Sequence, residues 1–164
     1  MDMANGSSLP SGGLVLIRIA LGALVSSTGW SWAANDELTG GGVREMVREH
    51  LDDMSAPLRF WGDSVLLYNP DGLATLISWI VLLAGVCLLL GALTRPAGWL
   101  VAFLGMHIFI YAAPSVTPLA ILLMVTGAGC AISRAGRRFG LDIALDGNLP
   151  SWLTWVRGRS DFLS

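Results

Sequence analysis

The sequence contains no lysine, and its charged residues amount to only 13% of the chain. A soluble domain usually carries about 25%. Low charge, 54% hydrophobic residues and a mean hydropathy of +0.64 place the chain in the membrane class before any motif is read. A net charge of −2 gives no pull toward nucleic acid. Only two cysteines are present, Cys87 and Cys130, both inside apolar runs and not in CxxC spacing. This excludes a disulfide framework or cysteine cluster and leaves two small buried residues. No GxGxxG, P-loop or HExxH occurs, and only one histidine lies in an apolar run, so bis-histidine haem ligation is excluded. A Ser-His-acid set cannot be assembled in one place. The N-terminal "MDMANGSSLPSGG" lacks a positive region and a small-residue cleavage site, so the first apolar run is expected to remain as a helix.

Long apolar runs are what the chain has instead. Four of them, 14–32, 73–93, 97–113 and 117–133, are long enough to cross about 30 Å of hydrocarbon at ~1.5 Å per residue. The third opens after Pro96; the fourth opens on Thr117, which can cap, with Pro118 at the first helical position. The links between runs two, three and four are very short, so these helices are expected to be antiparallel neighbours. Four spans put both termini on one side. Arg95, Arg134, Arg137, Arg138, Arg157 and Arg159 collect there, while the other side has Arg44, Arg48 and Arg59 against eight acids. The positive-inside rule then makes that first side cytoplasmic. The expected organisation is a cytoplasmic N-terminal segment 1–13, a four-span region 14–145 with an extracytoplasmic loop 33–72, and a cytoplasmic interfacial tail 146–164. The fold class is all-α: an integral membrane four-helix bundle, N-in/C-in, in a bacterial-type inner membrane.

The loop has structure of its own. In "GGVREMVREHLDDM", Val43, Met46, Val47, Leu51 and Met54 recur at helical spacing, and Arg44, Glu45, Arg48, Glu49, Asp52 and Asp53 take the other face. This is an amphipathic helix, lying on the membrane surface or capping the bundle, either as a lid or partner-docking surface or as a solvated connector. A second apolar patch, "APLRFWGDSVLLY", follows. Glycines at seven-residue spacing, Gly22 with Gly29 and Gly98 with Gly105, let helix backbones approach closely. In the tail, Trp152 and Trp155 precede Arg157 and Arg159, a pattern for an interfacial anchor or a docked segment.

Polar residues inside apolar runs are functional candidates because lipid makes them costly. His107 and Tyr111 lie one turn apart at the outer end of run three. Ser27 and Trp30 end run one on the same side, and Trp79 lies in the outer third of run two. Such a set could hold a quinone, through hydrogen-bond donors and flat walls, with His107 exchanging a proton. The same residues also fit an ordinary aromatic belt with one satisfied histidine. The midplane is apolar, which disfavours ion transport but not carriage of a lipid-like molecule. Arg18 sits about 6 Å inside the cytoplasmic end of run one. Its stem can snorkel to the headgroups. It is expected to pair with Asp142, or with the carbonyls ending run four, as a structural latch. No metal site and no covalent cofactor is implied, and the catalytic residues, if there are any, are unknown from sequence.

Three stretches resemble the DoxX/DoxD family of small four-helix membrane proteins. "LIRIALGALVSSTGW" is similar to the family's first-helix pattern of Arg followed by two glycines. "LLLGALTRPAGWLVAFLGM" is similar to its hairpin between helices two and three, including Gly-x-x-Thr-Arg. "AGRRFGLDIAL" is similar to its closing segment. The resemblance spans 14 to about 145 and implies a redox-linked membrane subunit, of the kind associated with thiosulfate:quinone oxidoreductase. Two departures stand out. Trp32, in "GWSW", lies near the point where many members place a basic residue, and "IVLLAG", with Leu82, replaces a segment that carries a glutamate in many members. Both changes favour an accessory role. The expected function is an auxiliary subunit of a larger membrane electron-transfer complex, packed against partner membrane subunits and lipids and bordering a quinone or lipid site. The alternatives are a quinone-reducing subunit of a sulfur-compound oxidoreductase and, third, a carrier of a lipophilic small molecule.

Overall fold

The computed structural model describes residues 11–52, 54–112 and 114–132. Among these residues the chain is all-helical, with six α-helices and no strand: α1 (Ser11–Asn35), α2 (Gly40–Leu51), α3 (Ala56–Trp61), α4 (Pro70–Leu90), α5 (Thr94–Tyr111) and α6 (Thr117–Ile132). A π turn, Gly62–Leu66, follows α3. Two helices, α1 and α4, are long and apolar enough to cross a membrane; α6 is a shorter apolar helix.

The four apolar runs become α1, α4, α5 and α6 with shifted ends. Helix α4 starts three residues before run two because Asn69 caps it: its side chain accepts from the Gly72 N–H at 3.1 Å, and Pro70 holds the first position. It stops at Leu90 rather than 93 because Gly91 turns left-handed at φ 66°. The Ala92 N–H then reaches the Cys87 carbonyl at 2.9 Å and the Gly91 N–H the Leu88 carbonyl at 3.3 Å, which closes a Schellman turn. Helix α5 opens at Thr94, so Pro96 lies within its first turn, where no intrahelical N–H is needed.

Glycine contacts set the pairing. A Cβ on Gly22 would meet the Leu89 backbone nitrogen at 2.6 Å, and one on Gly29 would strike the Leu82 backbone, so α1 and α4 run antiparallel at backbone contact. Helices α5 and α6 pair the same way, with Gly98 against Ala131 and Gly105 against Ala120 and Met124. The two pairs meet through α4–α5 and α1–α6 contacts. Between them lies a core of Leu21, Val25, Val81, Ala84, Leu88, Ala97, Val101, Leu123 and Cys130. The outward faces are also apolar, with Leu16, Leu24, Leu83, Phe103, Leu122 and Val125 exposed.

The loop helix forms where its spacing predicts. Thr39 caps α2, accepting from the Gly42 N–H at 3.1 Å. Val43, Val47 and Leu51 are buried, clustered with Leu66, with Ala74 of α4 and with Tyr111 of α5. Helix α2 therefore caps one end of the helix assembly, with Arg44, Glu45, Arg48, Glu49 and Asp52 exposed. It ends at Leu51, and Met54 packs on the same cluster from beyond the helix.

Candidate functional site

The candidate site lies beneath α2 and α3, on the last two turns of α5. Spacing of four residues puts Phe103, His107 and Tyr111 on one stripe of that helix. The His107 ring centroid is 4.2 Å from that of Phe103 and 6.2 Å from that of Tyr111, whose plane is tilted from it by 26°. Nδ1 of His107 lies 3.0 Å from the Phe103 carbonyl oxygen. A carbonyl only accepts, so this contact assigns the ring proton to Nδ1 and leaves Nε2 as an acceptor. The Trp61 indole N–H fills that acceptor at 3.3 Å. The Tyr111 hydroxyl donates to the Leu58 carbonyl at 3.0 Å, and the residue is only 1% exposed.

Helix α3 is thus fastened to α5 at two points, Leu58 near its middle and Trp61 at its end. Between them Arg59 turns the other way. Its Nε donates to the Leu51 carbonyl at 3.1 Å and its Nη2 to the Asp52 carbonyl at 2.9 Å, and the Asp52 carboxylate lies 3.6 Å from Nη2. A cation here closes the unsatisfied C-terminal carbonyls of α2 and complements its dipole. Helices α2, α3 and α5 are joined into one capped end. The polar groups there hold the loop in place; both His107 nitrogens and the Tyr111 hydroxyl are engaged within the chain. For this pair to bond a quinone carbonyl, α3 would have to move away and His107 would have to carry a proton on Nε2.

Of the residues singled out from sequence, the structure brings His107 and Tyr111 together. Trp30 and Trp79 are exposed, and the Ser27 hydroxyl donates to the Leu24 carbonyl at 2.9 Å on its own helix. Among the described residues, no hydrogen bond or ring contact joins these three to the His107–Tyr111 pair. Arg18 is 1% exposed, so its guanidinium is buried and does not run to the surface. It lies within electrostatic reach of the buried Cys130 on α6, and Thr94 is buried as well. Asp142, its expected partner, lies outside the described residues, as does the Trp152–Arg159 tail.

Sequence reasoning missed Trp61 and Arg59 as fastening residues. The only signal was an aromatic pair and an arginine inside the second apolar patch. It also missed Ser78, a buried hydroxyl that donates to the Ala74 carbonyl at 2.9 Å. Two shallow open grooves lie on the loop, one along Arg44, Glu45, Arg48 and Glu49, the other between Met54, Arg59, Phe60 and Asp63. Among the described residues no three His, Cys, Asp or Glu side chains are grouped to hold a metal ion. The chain matches no family model, no curated protein and no solved structure.

Proposed function

We propose that α1, α4, α5 and α6 form a four-helix membrane bundle with cytoplasmic termini and an extracytoplasmic loop 33–72, in a bacterial-type inner membrane, and that the protein is an auxiliary subunit of a larger membrane electron-transfer complex. The observation that carries the auxiliary role is the engagement of the chain's own polar groups. His107 and Tyr111, the chemically capable side chains at the outer end, are bonded to α3, while the helices turn Leu24, Leu83, Phe103 and Val125 outward for lipid or partner helices. The redox context rests on the three stretches that resemble the DoxX/DoxD family. The test is migration in mild detergent: the reading expects recovery with other membrane subunits, and recovery as a free monomer overturns it. Cysteines introduced at Ser8 and Glu45 test the topology, since only the second is expected to react with an impermeant maleimide on intact cells.

One observation favours a second reading, a quinone-reducing subunit of a thiosulfate:quinone oxidoreductase-like enzyme. His107 and Tyr111 share one stripe of α5 with ring centroids 6.2 Å apart, a spacing that suits two donors to one headgroup. Release of α3 would free the Tyr111 hydroxyl to donate, and Nε2 would donate as well once His107 carries a proton there. Unchanged thiosulfate-dependent quinone reduction in His107→Ala removes this reading. Carriage of a lipophilic molecule remains the third, with no residue of its own to carry it.

A further inference from the structure

The segment after α2 presents an apolar face that no other described residue covers. Phe60 is 71% exposed, Trp61 41%, Val65 39% and Tyr68 86%, while Gly62 and Leu66 are buried beneath them. The π turn helps to build this face. In an uninterrupted α-helix Phe60 and Val65 would point about 140° apart. The wider turn, closed by the Leu67 N–H on the Gly62 carbonyl at 2.9 Å, brings Val65 round toward the side of Phe60.

We propose that this face lies in the bilayer itself, at the headgroup–acyl boundary of the outer leaflet, with zwitterionic phospholipid as its partner. The inference rests on the membrane reading above and adds an element to it. Continuity places the face at the rim of the lipid-facing surface. Trp61 is bonded to His107 on α5, and Phe103, Met106 and Phe109 of the same helix are exposed apolar side chains. Chemistry fits the boundary. Tryptophan and tyrosine present an apolar body with a polar tip. An indole N–H buried in hydrocarbon without an acceptor is costly, and here His107 supplies the acceptor, so the Trp61 ring can enter an apolar layer with its donor satisfied. Charge selects the lipid: residues 56–68 carry one arginine and one aspartate, so nothing draws the segment to an anionic surface and apolar area drives its insertion. The amphipathic helix α2, by contrast, turns its apolar face onto Ala74 and Tyr111 and its charges outward. Helix α2 is the cap, and α3 with its π turn is the membrane-surface element.

Nitroxide labels in phosphatidylcholine proteoliposomes test this. Single cysteines replace Phe60, Val65, Tyr68, Glu49 and Val125 in turn, in a chain with Cys87 and Cys130 changed to alanine. Accessibility to oxygen and to a water-soluble nickel chelate is read at each. The expected result is an oxygen-to-nickel ratio several-fold higher at 60, 65 and 68 than at 49, approaching the ratio at 125. A water-like ratio at 60, 65 and 68 with a lipid-like ratio at 125 overturns the inference and leaves the membrane reading standing. Low access to both reagents at the three sites also overturns it, in favour of coverage by protein. A water-like ratio at 125 overturns both readings. Tyr68, the most exposed of the three, tolerates a label if Phe60→Cys fails to fold.

Discussion

The Trp61 indole N–H donates to Nε2 of His107 across 46 residues of sequence, and the His107 ring is oriented for it by the Phe103 carbonyl on the other nitrogen. This contact and the Tyr111–Leu58 bond fasten α3. Trp61→Phe keeps the ring and deletes the donor. A net hydrogen bond contributes about 1 kcal/mol, a factor of about five in a local opening equilibrium. Hydrogen exchange at the amides of 56–66 is expected to quicken by that order in Trp61→Phe and in His107→Ala, with the double variant no worse than the larger single effect. Full additivity in the double variant would show that the two residues do not act on each other.

Arg59 offers a contrast between two contacts of one side chain. Its bonds to the Leu51 and Asp52 carbonyls close the end of α2, whereas its ion pair is to a fully exposed Asp52 carboxylate. Arg59→Ala is expected to lower the stability of the loop by about 1 kcal/mol, through orphaned carbonyls and a lost dipole partner. Asp52→Asn is expected to be near-neutral, because exposed ion pairs contribute little. The check is limited proteolysis between residues 40 and 60: fast cleavage in the first variant and wild-type rates in the second.

Much of this architecture was legible in the sequence, and the exceptions have physical causes. Apolar runs announced α1, α4, α5 and α6, and the spacing of Val43, Val47 and Leu51 announced the buried face of α2. The ends moved where a local device outweighs hydropathy, as at Asn69–Pro70 and Gly91. His107 and Tyr111 were readable as neighbours because four residues is one helical turn. Whether Trp30, Ser27 or Trp79 faced them was not readable. A helix that is apolar all round carries no moment to fix its rotation, and tertiary contacts decide which side turns out. The Trp61–His107 bond was invisible for another reason: no local pattern links residues so far apart. The burial of Arg18 was not readable, because it depends on α6, whose approach no property of α1 encodes.

Close packing predicts which glycines can accept a methyl group. A Cβ on Gly85 would strike the Ser26 backbone of α1, which cannot yield without separating the helices, whereas a Cβ on Gly129 meets nothing within 4 Å. Gly85→Ala is expected to cost about 1–3 kcal/mol through overpacking. Gly129→Ala should be neutral or slightly stabilising, since alanine is the better helix former. Thermal unfolding in detergent, followed by circular dichroism, decides it. Equal midpoints for the two variants would contradict the α1–α4 contact.

Arg18 supplies the strongest stability test because its guanidinium is buried at 1% exposure. Removing one member of a buried charged pair leaves the other uncompensated, at a cost of about 3–5 kcal/mol, whereas removing both members is often tolerated. Arg18→Met keeps most of the volume of the stem and deletes the charge. It is expected to lower stability by several kcal/mol in unfolding titrations in mixed micelles. If Asp142 is the partner proposed for the latch, Asp142→Asn alone falls in the same range, and Arg18→Met with Asp142→Asn together recovers a large part of the loss. Wild-type stability in Asp142→Asn would assign the latch to another group on that face and leave Arg18 as a charge held by the carbonyls at the end of the neighbouring helix.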